Sequence, residues 1–559
     1  MPGLYLLDYG AGNVRSLLNA VHLLGYDIKT IESAADFDDA ERILFPGVGA
    51  FGAAMNRLEK KGFIEPLKAY IASGRPFMGI CVGLQCLCLG SEEDPDVPGL
   101  GLIPAMVTRF NDTTKSVPHM GWNAVDVTQQ PTIKESDVYA ELNHDGADST
   151  RYYFVHSFAV MSTPATKEWE MGTTTYGNET FVSVMRRGNV FATQFHPEKS
   201  GYAGLKVVRS FLRGGAGEAI PHPMSNGSHT SNRNTDRLTR RVVACLDVRA
   251  NDAGDLVVTK GDQYDVREAS ETGKGDVRNL GKPVDLAKRY FQEGADEVTF
   301  LNITSFRSIP LRDAPMLKVL MQTSETVFVP LTIGGGIRDM TDPDGTVIPA
   351  LDVAGEYFRS GADKVSIGSD AVYAAERYWE MNGVKDGTTA IEQIARVYGN
   401  QAVVISVDPR RVYISKPEDA PKHQVIKTAF PGPNGEEYCW YQCTVKGGRE
   451  GRDTDVRQLV IACEALGAGE VLLNCMDKDG TNSGYDMELI TAVRSAVRIP
   501  IIASSGAGKV QHFSEVFDRT NVEAALAAGI FHRKEVPISD VKQHLRDSGY
   551  QVRGIEQAL

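Results

Sequence analysis

The sequence predicts two α/β domains in one chain: an open, mostly parallel sheet with flanking helices, then a (β/α)8 barrel with a half-barrel repeat. Three observations carry this. The chain has 559 residues, more than one hydrophobic core organises. A Gly-, Ser-, Asn- and Pro-rich stretch without apolar period runs from Gly214 to Asp236, which predicts domains at 1–213 and 237–559 joined by a linker at 214–236. On both sides of it, short apolar strands alternate with segments of helical period.

Before the linker, Leu4–Leu7, Ile43–Phe45 and Phe77–Ile80 read as strands, and Val14–Leu24 repeats apolar residues at helical spacing. After it, strands are expected at Val242–Leu246, Glu297–Leu301, Val327–Ile333, Lys364–Ile367, Val403–Val407, Glu470–Cys475, Ile499–Ala503 and Glu523–Ala527. This half also repeats itself. Val243-Ala244-Cys245-Leu246-Asp247 echoes Val404-Ile405-Ser406-Val407-Asp408, and Gly294-Ala295-Asp296-Glu297-Val298 echoes Gly467-Ala468-Gly469-Glu470-Val471. Pro330-Leu331-Thr332-Ile333-Gly334 echoes Pro500-Ile501-Ile502-Ala503-Ser504. The copies fall in order at strands one to three and again at five to seven, which chance similarity of apolar strands does not explain.

Composition narrows the function. A net charge of −13 argues against a nucleic-acid surface, while leaving room for local phosphate sites. The eight cysteines form no metal-ligand spacing: Cys86 and Cys88 are too close for a CxxC pair, and Cys439 and Cys443 have no second pair nearby. They read as reduced core residues of an intracellular protein. No uncharged apolar run is long enough for a membrane span, and Met1-Pro2-Gly3-Leu4 opens neither a signal nor a transit segment, so a cytoplasmic protein is expected.

In the first domain, Gly79-Ile80-Cys81-Val82-Gly83 follows a strand and precedes a helical pattern. That is the nucleophile-elbow arrangement with Cys for Ser: glycines permit the sharp turn, and a helix N-terminus favours the thiolate. A lone GxCxG would read as a buried Cys. Downstream, however, stands Gln194-Phe195-His196-Pro197-Glu198, where residues two apart in an extended segment point the same way. Glu198 can orient His196, which can take the thiol proton. His119 and His156 are alternative bases, but neither has an acid at comparable spacing.

GxCxG followed far downstream by HPE resembles the class I glutamine amidotransferases over roughly Met1–Arg213. The resemblance implies a γ-glutamyl thioester on Cys81 and release of ammonia. It implies that Pro46-Gly47-Val48-Gly49 is the oxyanion strand, and that Gln85 with Val155-His156-Ser157 holds glutamine. Pro118-His119-Met120-Gly121-Trp122-Asn123 is similar to the PHMGWN signature of the histidine-pathway glutaminases.

In the second domain, Asp247 and Asp408 end strands one and five, on opposite sides of a barrel, so their carboxylates would face each other across its C-terminal mouth. Gly334-Gly335-Gly336 follows strand three and Ser366-Ile367-Gly368-Ser369 strand four; Ser504-Ser505-Gly506-Ala507-Gly508 follows strand seven and Ala527-Ala528-Gly529 strand eight. Exposed backbone N–H groups at such turns cradle phosphate, and two equivalent pairs imply a ligand phosphorylated at both ends. The motifs ACLDV, VVTKG, LTIGGGIR, DKDGTNSGYD and IIASSGAG resemble the cyclases of the imidazole glycerol phosphate synthase family from about Arg237 onward. The resemblance implies that Asp247 and Asp408 are the acid/base pair and that Lys260 lies in a mobile loop over the substrate. Asp479 and Gly480, with Thr481 nearby, would line the second phosphate side; Asn302 stands where many stand-alone bacterial cyclases carry Asp. No metal or redox cofactor is implied.

Arg241, Glu297, Lys364 and Glu470 begin strands one, two, four and six, at the opposite end of the barrel. Two cations and two anions can satisfy each other as a ion-pair plug; in the family the matching residues form the gate through which ammonia enters. The insertion Pro409–Arg452 separates strand five from its helix. Within it His423–Phe430 and Glu437–Val445 alternate enough for a hairpin flapping over the mouth, where Lys446-Gly447-Gly448-Arg449 would reach phosphate or stand solvated.

Together these readings predict one chain, expected to be monomeric, that releases ammonia from glutamine and passes it, unprotonated, to a bisphosphorylated aminoimidazole carboxamide ribonucleotide derivative. Rival barrels fit less well. A sugar-isomerising barrel has no use for Cys81, His196 and Glu198. A pyridoxal-phosphate-forming barrel needs imine-forming lysines inside, and Lys364 is at the wrong end. A non-catalytic scaffold predicts decayed sites, whereas both look complete.

Overall fold

The computed structural model describes residues 3–10, 12–127, 150–213, 236–250, 256–259, 279–303, 315–341 and 344–555. The expected linker therefore lies outside the described residues apart from Asp236, and Lys260 lies outside them as well.

The first domain is built on an eight-stranded sheet. Across the sheet run Lys29–Thr30, Leu4–Leu6, Arg42–Phe45, Phe77–Ile80 and Val190–Thr193, all parallel. Glu179–Arg187, Glu170–Tyr176 and Asp126–Val127 continue it antiparallel. Every residue of Phe77–Ile80 and Val190–Thr193 is buried, as strands covered on both faces must be. Helix Arg15–Leu23 buries Ser16, Leu17, Ala20 and Val21 at helical spacing. A separate antiparallel pair, His119–Asn123 with Tyr152–His156, lies against the second domain.

The second domain is a closed barrel. Its parallel strands, in order, are Arg241–Ala250, Glu297–Asn302, Leu331–Gly334, Lys364–Ile367, Val403–Val407, Glu470–Asn474, Ile501–Ser504 and Ala524–Ala527, and the last pairs back onto the first. The largest differences from expectation are at the third and first strands. The third strand begins at Leu331, because Val327–Pro330 are buried as a connection and not in the ladder. The first strand runs past Asp247 to Ala250, where Leu256–Val258 pairs with it antiparallel, so Asp247 does not end its strand.

Side chains alternate along each strand, so positions two apart share a face. Val243, Cys245, Val404, Leu472, Ile502, Ala524 and Leu526 pack into a small cluster of their own, which identifies the barrel interior. On the same parity, Arg241, Glu297 and Glu470 lie below that cluster, and Asp247, Asp408 and Asn474 above it. One period thus sets both ends of the interior, about 20 Å apart along the first strand.

The predicted insertion hairpin is corrected. Ile426–Lys427 pairs with Tyr438–Val445 over only two positions. The main partners of Tyr438–Val445 are Pro409–Ile414 and Glu450–Asp455, which sequence reading left unassigned. The four strands form a sheet pinned from within by Arg411, whose guanidinium pairs with Asp486 at 2.7 Å and Glu488 at 3.1 Å. The turn at Lys446–Gly448 has positive φ at three successive residues and donates the Lys446 N–H to Ser369 Oγ at 2.9 Å.

The domains share a core. Ala20, Trp122, Tyr153 and Leu205 of the first pack in the same apolar cluster as the outer layer of the barrel. Trp122 alone, fully buried, accounts for roughly 5 kcal/mol of transfer free energy as an upper figure. Polar contacts fix orientation: Lys199 Nζ to Asp363 Oδ2 at 2.7 Å, Asn13 Nδ2 to Asp363 Oδ1 at 2.8 Å, and the Gly201 N–H to the Phe328 carbonyl at 2.9 Å. The eight cysteines are all free and buried, and no helix among the described residues is long and apolar enough to cross a membrane.

Asp296, fully buried before the second barrel strand, accepts from Lys542 at 2.5 Å, from Arg553 at 3.0 Å and from the Val242 N–H at 2.8 Å. It ties the last helix and the C-terminal tail to the barrel, and Arg553 stacks 4.4 Å over the Trp122 ring. Replacing Asp296 by Ala removes the carboxylate these buried cations share and should lower stability by about 3–5 kcal/mol in urea denaturation. The exposed Lys68–Glu65 pair should contribute under about 0.5 kcal/mol on the same test.

Candidate functional site

Strand Phe77–Ile80 turns directly into helix Val82–Gln85, and Cys81 between them is held at φ 52°, ψ −108°, a region costly for a residue with a Cβ. Close packing enforces the elbow. A Cβ on Gly83 would stand 2.2 Å from the Phe45 carbonyl oxygen, and one on Gly47 2.2 Å from the Gly83 nitrogen. The Cys81 N–H is held by the Thr193 carbonyl at 2.7 Å, bringing the thiol beside the segment after the Val190–Thr193 strand.

His196 Nδ1 meets Glu198 Oε1 at 2.8 Å, both side chains nearly dry, and the ring hydrogen-bonds the Cys81 thiol. Burial disfavours the imidazolium, but the charges of Glu198 and Cys81 outweigh it and hold the His196 pKa well above its ordinary value. Gln194 Nε2 reaches Cys81 Sγ at 3.4 Å and its Oε1 accepts from Gln85 at 3.2 Å; Gln85 also donates to the Phe158 carbonyl at 2.9 Å. Gln194 was missed in the sequence although it stands two residues before His196. The Pro46–Gly49 segment lies over the elbow; Gly47 and Gly49 are buried, Gly49 has φ 142°, and the half-buried Val48 accepts from the Tyr9 hydroxyl at 3.3 Å.

Ser157 is half-buried beside this site, but the His156 ring is occupied elsewhere. Its Nδ1 faces the Phe158 carbonyl at 2.9 Å and its Nε2 faces His119 Nδ1 at 3.2 Å; His119 Nε2 faces Asn123 Nδ2 at 3.3 Å. Donors and acceptors alternate along this chain when both rings are neutral. Burial, then the neighbouring charges, pushes His119 well down; burial pushes His156 down to about 3. Neither histidine has a carboxylate partner, so neither competes with His196 as the base.

Beyond that strand the four strand-start charges form a closed, buried ring. Arg241 meets Glu297 at 3.0 Å and Glu470 at 2.5 Å, and Lys364 meets Glu297 at 2.6 Å and Glu470 at 2.5 Å. Burial opposes the Arg241 charge, but the two glutamates raise its pKa; burial opposes the Glu470 charge, but Arg241 and Lys364 hold its pKa below the carboxylate range. The PHMGWN strand roofs the ring: Met120 Sδ lies 3.7 Å from Lys364 Nζ, and a Cβ on Gly121 would stand 3.6 Å from Arg241 Cδ. Tyr153, whose carbonyl holds the His196 N–H at 3.0 Å, sends its hydroxyl toward the ring without a hydrogen-bond partner among the described residues. His196 and the ring are thus separated by a single strand.

At the mouth, Asn474 Nδ2 donates to Asp408 Oδ1 at 2.9 Å, and Thr444 of the insertion holds the Asp408 carbonyl at 2.7 Å. Burial raises the Asp408 pKa; Asn474 opposes this and the Asp479 charge adds to it. Asp247 is half-buried on the facing strand. Asn474 was missed, though counting in twos from Glu470 reaches it. On one side of the mouth, Gly335 (φ 93°) packs so that a Cβ would meet the Asn302 carbonyl at 2.3 Å, Gly336 follows at φ 81°, and Gly368 opens helix Ser369–Glu380. On the other, Ser505 and Gly506 have φ 73° and 99°, Gly506 accepts from the Gly484 N–H at 2.8 Å, and Ala528 opens helix Gly529–His532. Asp479 and Gly480 (φ 72°) lie in the loop leading to Gly484.

Two families match this chain: class I glutamine amidotransferases over residues 5–213 and histidine biosynthesis proteins over residues 241–537. The imidazole glycerol phosphate synthase of Emericella nidulans is 58% identical over 561 residues, covering 100% of both chains. That of Schizosaccharomyces pombe is 58% identical, covering 97% of this chain and 98% of the relative. The chloroplastic protein of Arabidopsis thaliana, under the same synthase name, is 56% identical over 98% of this chain and 89% of its own. A separate synthase subunit of Methanobrevibacter smithii is 38% identical over 56% of this chain and 99% of its own length.

The neutral His119–His156 pair makes stability depend on pH. Both folded pKa values lie below the unfolded value of about 6.5. Below that pH the unfolded chain binds protons that the folded chain does not, so stability falls by up to about 1.4 kcal/mol per pH unit for each histidine. His196 acts in the opposite sense: its raised pKa contributes stability that is complete below pH 6.5 and lost as pH rises through the folded value. Urea denaturation between pH 7.5 and 5.5 should show a shallower acid loss for His119→Gln than for the parent protein.

Proposed function

Because this chain belongs to the fused imidazole glycerol phosphate synthase family, we propose that its two sites act as a relay, with Cys81, His196 and Glu198 releasing ammonia and Asp247 and Asp408 consuming it. The reaction hydrolyses glutamine to glutamate and ammonia. The ammonia converts phosphoribulosyl-formimino-aminoimidazole carboxamide ribonucleotide to imidazole glycerol phosphate and aminoimidazole carboxamide ribonucleotide, in histidine biosynthesis.

The single observation carrying the relay is the placement of the charged ring one strand away from His196. The Cys81 thiolate attacks the γ-carboxamide carbon, and the imidazolium of His196 gives its proton to the departing nitrogen. Water then cleaves the thioester, with His196 as base and Glu198 keeping the ring oriented. Gly47, Val48 and Gly49 border the developing oxyanion, while Gln85, Ser157 and the backbone at His156 border the amino-acid portion. Glu93, missed in the sequence, lies in the same cleft as Ser157 and is held by the Phe51 N–H at 2.8 Å.

The Arg241–Glu297–Lys364–Glu470 ring lies on the direct line into the barrel and is proposed as the gate. In the mouth, Asp247 and Asp408 act as the acid–base pair, with burial raising the Asp408 pKa. Gly336, Gly368 and Ser369 would hold one phosphate; Asp479, Gly480, Gly506, Ala528 and Gly529 would border the other, with Lys260 closing over the substrate. Since both sites lie in one chain, the working unit proposed is the monomer.

Cys81→Ala should abolish glutamine-dependent product formation and leave the ammonium-driven reaction, whereas Asp247→Asn should abolish both; an Asp247→Asn enzyme that cyclises with ammonium salt would reject the assigned role. Lys364→Ala should uncouple the halves, so that glutamate formed exceeds nucleotide product, measured by parallel assays of the two.

A further inference from the structure

Against the glutaminase site, between the two domains, lies a cavity of about 360 Å³. The first domain contributes Glu93, Ser157 and Phe158; the barrel domain contributes Gln401 and Arg498. Phe158 connects it to the chemistry, since its carbonyl takes the Gln85 amide at 2.9 Å and Gln85 reaches Gln194, which touches Cys81 Sγ at 3.4 Å. A second cavity of about 680 Å³ shares Glu93, Asn400 and Glu464 with it and continues outward along the domain boundary.

The charges in this cavity are unequally occupied. Arg109 is neutralised by Asp112 at 2.9 Å. The Glu464 carboxylate is taken by the Arg498 and Ile499 N–H groups at 2.7 and 3.0 Å. Arg498 is fixed at its root on both sides, because its carbonyl also accepts the Val117 N–H at 3.0 Å. Its guanidinium nevertheless makes no hydrogen bond or ion pair with any described residue. An anchored arginine with an unused fork faces a cavity whose opposite domain supplies Glu93.

An amino acid entering with its side-chain amide toward Cys81 leaves an ammonium and a carboxylate at the mouth. We propose that Arg498 of the barrel domain binds the α-carboxylate of glutamine, opposite Glu93, so that the glutamine site is completed by the cyclase half of the chain. The proposal rests on Cys81 being the nucleophile. A guanidinium fork matches a carboxylate in two parallel hydrogen bonds, which gives orientation as well as attraction. The consequence is that glutamine is held well only where the barrel is docked.

The experiment compares the full-length parent, Arg498→Ala and Arg498→Lys in glutamine-dependent turnover, with the ammonium-driven reaction reporting that each variant is folded. Arg498→Ala should raise KM for glutamine about tenfold with little change in kcat, and Arg498→Lys should recover part of the loss. As a probe, 4-aminobutanamide, which is glutamine without its α-carboxylate, is measured as a competitive inhibitor. Its Ki should be the same for the parent and Arg498→Ala. An unchanged KM for glutamine overturns the proposal, as does an equal weakening of glutamine and of the probe, which would mark a merely structural role. If Cys81→Ala still turned over glutamine, the reading of the thiol would fail instead, independently of Arg498.

Discussion

The structure depends on a buried ring of four charges at the point where the two domains meet. Arg241, Glu297, Lys364 and Glu470 are all essentially without solvent contact. Each would be costly alone, since removing an ion from water costs several kcal/mol even after relaxation. Each is tolerated because every charge touches two of the opposite sign, with Thr332 adding a hydrogen bond to Glu297 at 2.6 Å. The arrangement requires the strands to hold register, and it requires a dry roof. The PHMGWN strand supplies the roof, with Met120 Sδ against the ring lysine and the Gly121 backbone close to Arg241.

The same constraint organises function. Strand parity carries the interior from the ring through an apolar layer to Asp247 and Asp408, so the charged floor and the acidic mouth are consequences of one alternation. On the other side of the roof, Tyr152–His156 carries Tyr153 toward the ring while its carbonyl holds His196. The strained elbow at Cys81 persists because Gly47, Gly79 and Gly83 let backbones approach closer than any side chain would allow. The residue after Glu198 is Lys199, which clamps Asp363 beside the ring lysine. A single motif thus holds the candidate base and a domain-docking contact side by side.

Much of this was legible in the chain. Alternation, turn residues and ordered repeats identified the barrel strands, with errors confined to the ends: Val327–Pro330 is apolar because it is buried, not because it is paired. His196 and Glu198 stood two positions apart, and a single 3-10 turn over Pro197–Lys199, where an extended segment was expected, brings them to 2.8 Å. The insertion misled. Its real pairings join Pro409–Ile414 and Glu450–Asp455 to a central strand, and Arg411 draws Asp486 and Glu488 from the start of the distant helix Met487–Ala496. Nothing local encodes such partners.

By itself the sequence determined what repeats at short range: strand parity, the nucleophile turn, the acid–base spacing and the glycine turns at the mouth. These are set by the covalent chain and the steric limits of each residue, so a window of a few positions contains them. Only the tertiary structure decided which neighbour each polar group has far along the chain. Gln194 on the thiol, Asn474 on Asp408, the neutral His119–His156 pair and Lys199 on Asp363 are of this kind. Their hydrogen bonds depend on exclusion of water, and exclusion of water is a property of the assembled core.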